Sequence, residues 1–286
     1  MTTLEGADRL GAMSQAIVAD SRLVSVVDLV DGIPIHARVS PHFVHGRTPL
    51  VFVHGLGVSV RYLEPTMTVL AARYHVAGLD LPGFGRSGDP PQALDTRGLA
   101  NALAGWLDAR DIGPAIFVGN SYGCQVIVEL VMQEPRRVVG LVLNAPTTDP
   151  AHRTVFGQLI RVLADIPFEP FRLGWLVARD YLRAGALRLL ATLRYALADR
   201  IEEKLPDVVV PTAIVCGARD PVVTLAWAAE AARLVGLSSQ RAAGAKLSVV
   251  QTAAHALPYD DPAAFSALIE AFVERVDRVK RPRSNQ

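Results

Sequence analysis

Only two cysteines occur in the 286 residues, Cys124 and Cys216, far apart and without the C-x-x-C spacing of a metal or redox pair. That scarcity excludes a disulfide scaffold and points to a reducing, cytoplasmic setting. Long apolar runs are missing too: no segment approaches the roughly 18 consecutive apolar residues of a membrane span. The first residues, M-T-T-L-E-G-A-D-R-L, carry acidic groups where a secretory leader needs basic ones, and no apolar stretch follows. The expectation is a protein neither secreted nor anchored. Neither sign of charge dominates, with 29 Lys and Arg against 28 Asp and Glu and a formal net charge of +1. No overall field draws in nucleic acid or an anionic membrane, which leaves a small-molecule substrate as the expected partner and assembly into a homo-oligomer open. The one basic run, Arg275 to Arg283, reads as a solvated helix end. Repeats, low-complexity stretches and Gly/Ser linkers are absent. So are G-x-x-x-x-G-K, H-E-x-x-H and any paired Cys/His cluster, so neither metal nor organic cofactor is expected.

What is present is ordinary globular composition, 50% hydrophobic and 20% charged, in a chain long enough for one core with an inserted subdomain. Residues 4 to 20 have weak helical character. Then Val24-Ser-Val-Val-Asp-Leu-Val30 and Ile33-Pro-Ile-His-Ala-Arg-Val39 flank Asp31-Gly32, the signature of a β-hairpin. Six short apolar runs follow, at 49–53, 75–79, 115–118, 138–143, 212–216 and 246–250. Continuous runs of that length suit strands buried on both faces. Helical patterns at 99–110, 125–134, 225–234 and 262–277 alternate with them, which predicts a mostly parallel α/β sheet led by an antiparallel hairpin. The alternation stops from about Thr147 to Pro206, an Arg-rich helical stretch too long for one crossover. It reads as a helical cap, residues 147–206, inserted into a core of residues 1–146 and 207–286.

The third of the six runs leads into Gly119-Asn120-Ser121-Tyr122-Gly123 and then an apolar helix. This is G-x-S-x-G in strand-turn-helix context, where small neighbours permit a sharp turn that lifts the serine hydroxyl above a sheet. A neutral hydroxyl is a poor nucleophile until an imidazole takes its proton, and a carboxylate must fix that imidazole. Asp220 in Cys216-Gly-Ala-Arg-Asp-Pro-Val222 and His255 in Gln251-Thr-Ala-Ala-His-Ala-Leu257 each follow an apolar run. From Val24 to Val276 the chain therefore resembles the α/β-hydrolase family, whose catalytic order is nucleophile, acid, histidine. The resemblance implies a serine hydrolase with Ser121 as nucleophile, Asp220 as acid and His255 as base. Asp149 occupies an alternative acid position used by some relatives. Ala254 stands where many members have Gly before the histidine.

His54-Gly55-Leu56-Gly57 resembles the family's H-G-x-G loop, which implies the backbone N–H groups of Leu56 and Tyr122 as oxyanion donors, with His54 bracing the loop. Gly83-Phe-Gly-Arg-Ser-Gly88 satisfies G-x-G-x-x-G, but Asp89-Pro90-Pro91 blocks the helix that a dinucleotide site requires. The longer string from Asp80 to Ser87 instead resembles the family's D-x-P-G-x-G-x-S loop. His36, His42, His45, His75 and His152 read as structural or surface residues. In the cap, Phe171 and Trp175 are expected to wall an apolar substrate pocket, while the recurring arginines read mostly as solvated, with a clamp on a substrate carboxylate left open.

These readings favour a carboxylesterase-like enzyme for a small-to-medium apolar ester or related acyl compound. A carbon-carbon bond hydrolase of ring-cleavage products is the second reading, opposed by Ala256 where those enzymes usually carry Trp. A hydrolase-fold lyase, cyclase or ligand receptor is the third. Ser121 argues against dehalogenases and epoxide hydrolases, which carry Asp there.

Overall fold

The computed structural model describes residues 23–42, 46–238 and 245–280. The weak helical character at 4–20, His45, and Arg281 and Arg283 of the basic run lie outside them. Eight strands form one sheet in the order β1-β2-β4-β3-β5-β6-β7-β8. β1 (Val24–Val30) and β2 (Ile33–Val39) form the antiparallel hairpin expected around Asp31-Gly32, and β2 runs antiparallel to β4 (Val76–Leu79). β3 (Leu50–Val53), β4, β5 (Ala115–Asn120), β6 (Val138–Asn144), β7 (Thr212–Gly217) and β8 (Lys246–Val250) are mutually parallel.

The apolar runs are continuous because two separate cores claim alternate residues. In β5, Ala115 and Phe117 join one core while Ile116 and Val118 join the other. Helices α2 (Thr96–Ala109) and α3 (Tyr122–Gln133) cover the first core. Helices α1 (Glu64–Ala71) and α10 (Pro262–Lys280) cover the second. The helix α1 goes beyond the sequence pattern: at eight residues opened by Glu64-Pro65, it is too short for a periodicity to declare itself.

Between β6 and β7 every regular element is helical: α4 (Val155–Asp165), α5 (Phe171–Ala184), α6 (Ala186–Ala198) and the single turn α7 (Ile201–Lys204), with short 3-10 turns between. After β7 come α8 (Leu225–Leu234), β8, the turn α9 (Leu257–Asp260) and α10. The chain leaves β3 toward β4 on one side and leaves β5 toward β6 on the other. A crevice therefore opens beyond the carboxyl ends of β3 and β5, where the order reverses.

Candidate active site

Ser121 sits at that reversal point, between the end of β5 and the first turn of α3. Its backbone is held at φ 54°, ψ −122°, a conformation that costs a non-glycine residue about 1–3 kcal/mol and persists only when its surroundings enforce it. Those surroundings are visible. The Ser121 N–H donates to the Asn144 carbonyl at 2.9 Å, and its own carbonyl accepts from Cys124 N–H at 3.0 Å. A side chain on Gly123 would collide with the Val53 and His54 carbonyls, so only glycine lets α3 begin against β3. A Cβ on Gly55 would lie 3.2 Å from the Ser121 Cβ, which sets the His54-Gly-Leu-Gly57 loop directly beside the serine.

His54 is fully buried and braces that loop. Its Nε2 accepts the Leu81 N–H at 2.9 Å, which leaves Nδ1 to donate to the Gly55 carbonyl at 2.7 Å. Burial lowers its pKa despite the opposing pull of Asp80, in keeping with a neutral structural imidazole. Among the described residues, neither the Leu56 nor the Tyr122 N–H donates to a protein acceptor. Tyr122 opens α3, where helical N–H groups have no partner within the helix. Its side chain is buried, with the hydroxyl 3.1 Å from Thr96 Oγ1.

Asp220 and His255 follow the adjacent parallel strands β7 and β8 and meet at the same edge of the sheet. The Asp220 Oδ2 lies 2.9 Å from His255 Nδ1. Its Oδ1 accepts the N–H groups of Val222 and Val223 at 2.7 and 2.9 Å, which fixes the carboxylate in a tight turn. Burial pulls the His255 imidazole down, but the Asp220 carboxylate and then Asp165 outweigh it, so the group ends above its ordinary value of 6.5. Asp149 is engaged elsewhere: Oδ2 bonds Thr224 Oγ1 at 3.0 Å and His152 Nδ1 at 3.1 Å, while Oδ1 caps Ala151 N–H. The other described histidines stand apart from this pair, His36 on Asp80 at 2.8 Å and His75 near Ser40 at 3.1 Å. The loop from Asp80 to Ser87 opens no helix. It wraps the buried Asp80 carboxylate, which accepts from Val60 and Arg86 N–H and leaves no cradle for a pyrophosphate.

The helical segment lies against the His54–Gly57 loop, helix α3 and the loops after β7 and β8. Tyr181 of α5 and Leu189 of α6 lie so close to Gly57 (φ 80°) that any side chain there would meet their carbons at 2.6 and 2.7 Å. Asp180 Oδ2 accepts from Ser59 Oγ at 2.5 Å, Arg161 donates to the Pro221 carbonyl at 2.5 Å, and Gln125 of α3 donates to the Ala196 carbonyl at 3.0 Å. Glu169 Oε1 accepts the Ala256 N–H at 3.1 Å. Burial, then the neighbouring Asp165 and Asp260, push Glu169 up to about 9, and burial with Asp165 pushes Asp260 up to about 6. This carboxyl cluster beside His255 was not foreseen. Asp165 and Glu169 look like ordinary polar residues of an amphipathic stretch, and nothing in the sequence aligns them with Asp260.

Phe171 and Trp175, expected to wall an apolar substrate pocket, lie on the outer side of α5, where Trp175 borders an arginine-lined cavity. They are 92% and 72% exposed. The cause is helical geometry: α5 turns Leu173 and Asp180 inward, and residues two positions to either side of Leu173 fall about 200° around the helix. Tyr181 and Leu189 are the side chains of this segment that lie against Gly57 of the His54–Gly57 loop. Among the described residues no group of His, Cys, Asp and Glu could hold a metal ion.

Comparison with known proteins bears on the fold and the family. In mouse (Mus musculus), the (Lyso)-N-acylphosphatidylethanolamine lipase is 34% identical over 112 residues, 38% of this chain and 33% of that protein. The stretches matched cover only 27% to 41% of the curated relatives' own lengths. Among solved structures, a membrane phospholipase A described as a bacterial virulence factor superposes with a TM-score of 0.74 at 20% identity, covering 95% of this chain and 92% of that one. A thermophilic esterase from Thermogutta terrifontis gives 0.72 at 18% identity over 88% and 99%. The family model described as Alpha/beta hydrolase family matches residues 50–268, most of the chain, and the protein belongs to that family.

Proposed function

We propose that this chain is a serine hydrolase that cleaves a small-to-medium, largely apolar carboxylic ester or related acyl compound through a covalent acyl-enzyme. The observation that carries the reading is the strained Ser121 turn at the crevice, on the same sheet edge as the hydrogen-bonded Asp220–His255 pair. With His255 Nδ1 committed to Asp220, Nε2 is the nitrogen that takes the serine proton. The Ser121 oxygen attacks the carbonyl carbon as that proton moves, and the oxyanion is held by the Leu56 and Tyr122 N–H groups. Collapse expels the alcohol, which leaves with the proton from His255. Water then attacks the acyl-enzyme, giving its proton to His255, and releases the acid while Ser121 recovers its hydrogen.

The helical segment 147–206 acts as a cap over this site, supported by its contacts at Gly57, Ser59, Pro221 and Ala256. Tyr181 and Leu189, rather than Phe171 and Trp175, then border the acyl side of the crevice. Similarity to an esterase and a lipase favours ester chemistry over carbon-carbon bond cleavage.

The test is turnover on a series of p-nitrophenyl esters from acetate to decanoate. Wild type is expected to hydrolyse them, and Ser121→Ala to lower kcat by at least about 10³-fold with the fold unchanged. Near-normal turnover by Ser121→Ala on every ester accepted by wild type would refute the mechanism.

A further inference from the structure

Five arginines, Arg38, Arg61, Arg86, Arg172 and Arg179, line one cavity of about 620 Å³ between α5 and the sheet, and Glu64 is the single carboxylate among its walls. Glu64 is already spent on Arg38 at 3.0 Å. The side chains of Arg61, Arg86, Arg172 and Arg179 make no hydrogen bond or ion pair among the described residues. None of Ser121, Asp220 and His255 lines the cavity, so it is separate from the proposed nucleophile. Guanidinium groups present planar, forked donors that match phosphate oxygens in pairs. Four of them sharing a cleft with no ion pair among the described residues describe an anion site.

The surface beside the cleft narrows the anion's origin. Arg172, Trp175, Leu176 and Arg179 are spaced i, i+3, i+4 and i+7 on α5, one stripe facing the cavity. Next to them Phe171 and Leu182 stand in solvent, the latter 84% exposed, and α4 adds Phe156, Leu159, Ile160 and Leu163 at helical spacing, all exposed. Residues 155–184 contain four arginines and three acids, and the acids are all turned away from solvent. Asp165 and Asp180 are buried, and Glu169 is half-buried on Ala256. The outward charge of these helices is therefore purely positive around an apolar, aromatic surface. A soluble phosphate ester accounts for the arginines but not for that surface. A second copy would set arginines against arginines with no exposed carboxylate to pair them. Apolar side chains with Trp and peripheral arginines are what an interfacial helix presents to lipid.

We propose that the arginine cleft and the exposed apolar face of α4 and α5 form a docking site for an anionic phospholipid surface, the cleft receiving the phosphate headgroup and the apolar side chains entering the headgroup boundary. The site is peripheral, since no helix among the described residues is long and apolar enough to cross a membrane. It stands whether or not Ser121 is a nucleophile.

Flotation of the full chain with vesicles of ether-linked phosphatidylcholine, alone or mixed with ether-linked phosphatidylglycerol, tests it without an acyl ester to cleave. Trp106 and Trp227 are buried, so a blue shift in tryptophan emission on adding vesicles reports Trp175. Expected are binding and a blue shift with the anionic vesicles, weakened by salt, with neutral vesicles bound far less. Arg172→Ala and Arg179→Ala should each weaken binding about fivefold, and Phe171→Ser with Trp175→Ser should release the protein. Three results would overturn the proposal: no flotation with anionic vesicles, salt-independent wild-type binding unmoved by either variant pair, or complete competition by free glycerol 3-phosphate, which marks a soluble ligand. Sedimentation showing a stable dimer that hides Trp175 would overturn it as well.

Discussion

Every residue of β3, β4, β5 and β7 is buried, whereas along α4 and α5 most large apolar side chains face solvent. Both regions are rich in large apolar residues as sequence. They differ in cover. A central strand has helices on both faces, so each alternate residue finds a core. A helix at the edge of the molecule has one neighbour, and its second apolar stripe is left without one. Hydrophobic periodicity specifies that a stripe exists and says nothing about what lies against it. The same contrast holds for charge. A net of +1 over the whole chain conceals a stretch, residues 155–184, whose acids are buried or half-buried while Arg172, Arg179 and Arg183 are exposed.

The sheet side of that comparison breaks first at the histidine. Asp220→Asn should cut kcat by about 10³–10⁴-fold, because the imidazole loses its orienting acceptor, while Asp149→Asn should leave turnover nearly unchanged since Asp149 serves His152 and Thr224. In wild type the rate should climb with pH as His255 loses its proton, with an apparent pKa above the ordinary imidazole value of 6.5. Steady-state kinetics across pH on the three proteins checks both points. Equal losses in the two variants, or a profile falling through neutrality, would detach the base role from the Asp220–His255 pair.

The seam between the two regions gives the smaller effect. Glu169 holds its proton more tightly folded than unfolded, with a value raised from 4.5 to about 9. Its protonated form therefore favours the folded state, and that advantage erodes as pH rises from the ordinary glutamate value toward 9. Glu169→Gln mimics the neutral acid and keeps an acceptor for the Ala256 N–H. Thermal melts should show the variant more stable than wild type at pH 8, by roughly 2 °C or more, and little different at pH 4. A variant destabilised at both would mean that the carboxyl is ionised in place.

How far the sequence could be read follows the same division. Hairpin, parallel strands and the elbow were legible because each rests on local signals: Asp31-Gly32 in a turn, apolar runs with flanking helices, Gly119 and Gly123 around Ser121. The pairing of Asp220 with His255 followed from their places after β7 and β8, strands that the sheet sets side by side. What escaped depends on which way a helix is rotated. Phe171 and Trp175 face outward because Leu173 and Asp180 face inward, and no residue within α5 announces that choice. The Asp165, Glu169 and Asp260 cluster, and the five arginines drawn from four parts of the chain, exist only once the helical segment is docked.

The central claim is that Ser121 is a nucleophile made reactive by His255. Intact-protein mass spectrometry after brief exposure to a fluorophosphonate tests it most directly, because the reagent requires an activated serine and no knowledge of the substrate. A single adduct, mapped to Ser121 in a proteolytic digest, absent in Ser121→Ala and strongly slowed in His255→Ala, is the predicted result. An unmodified wild type, or an adduct that persists in Ser121→Ala, would contradict it.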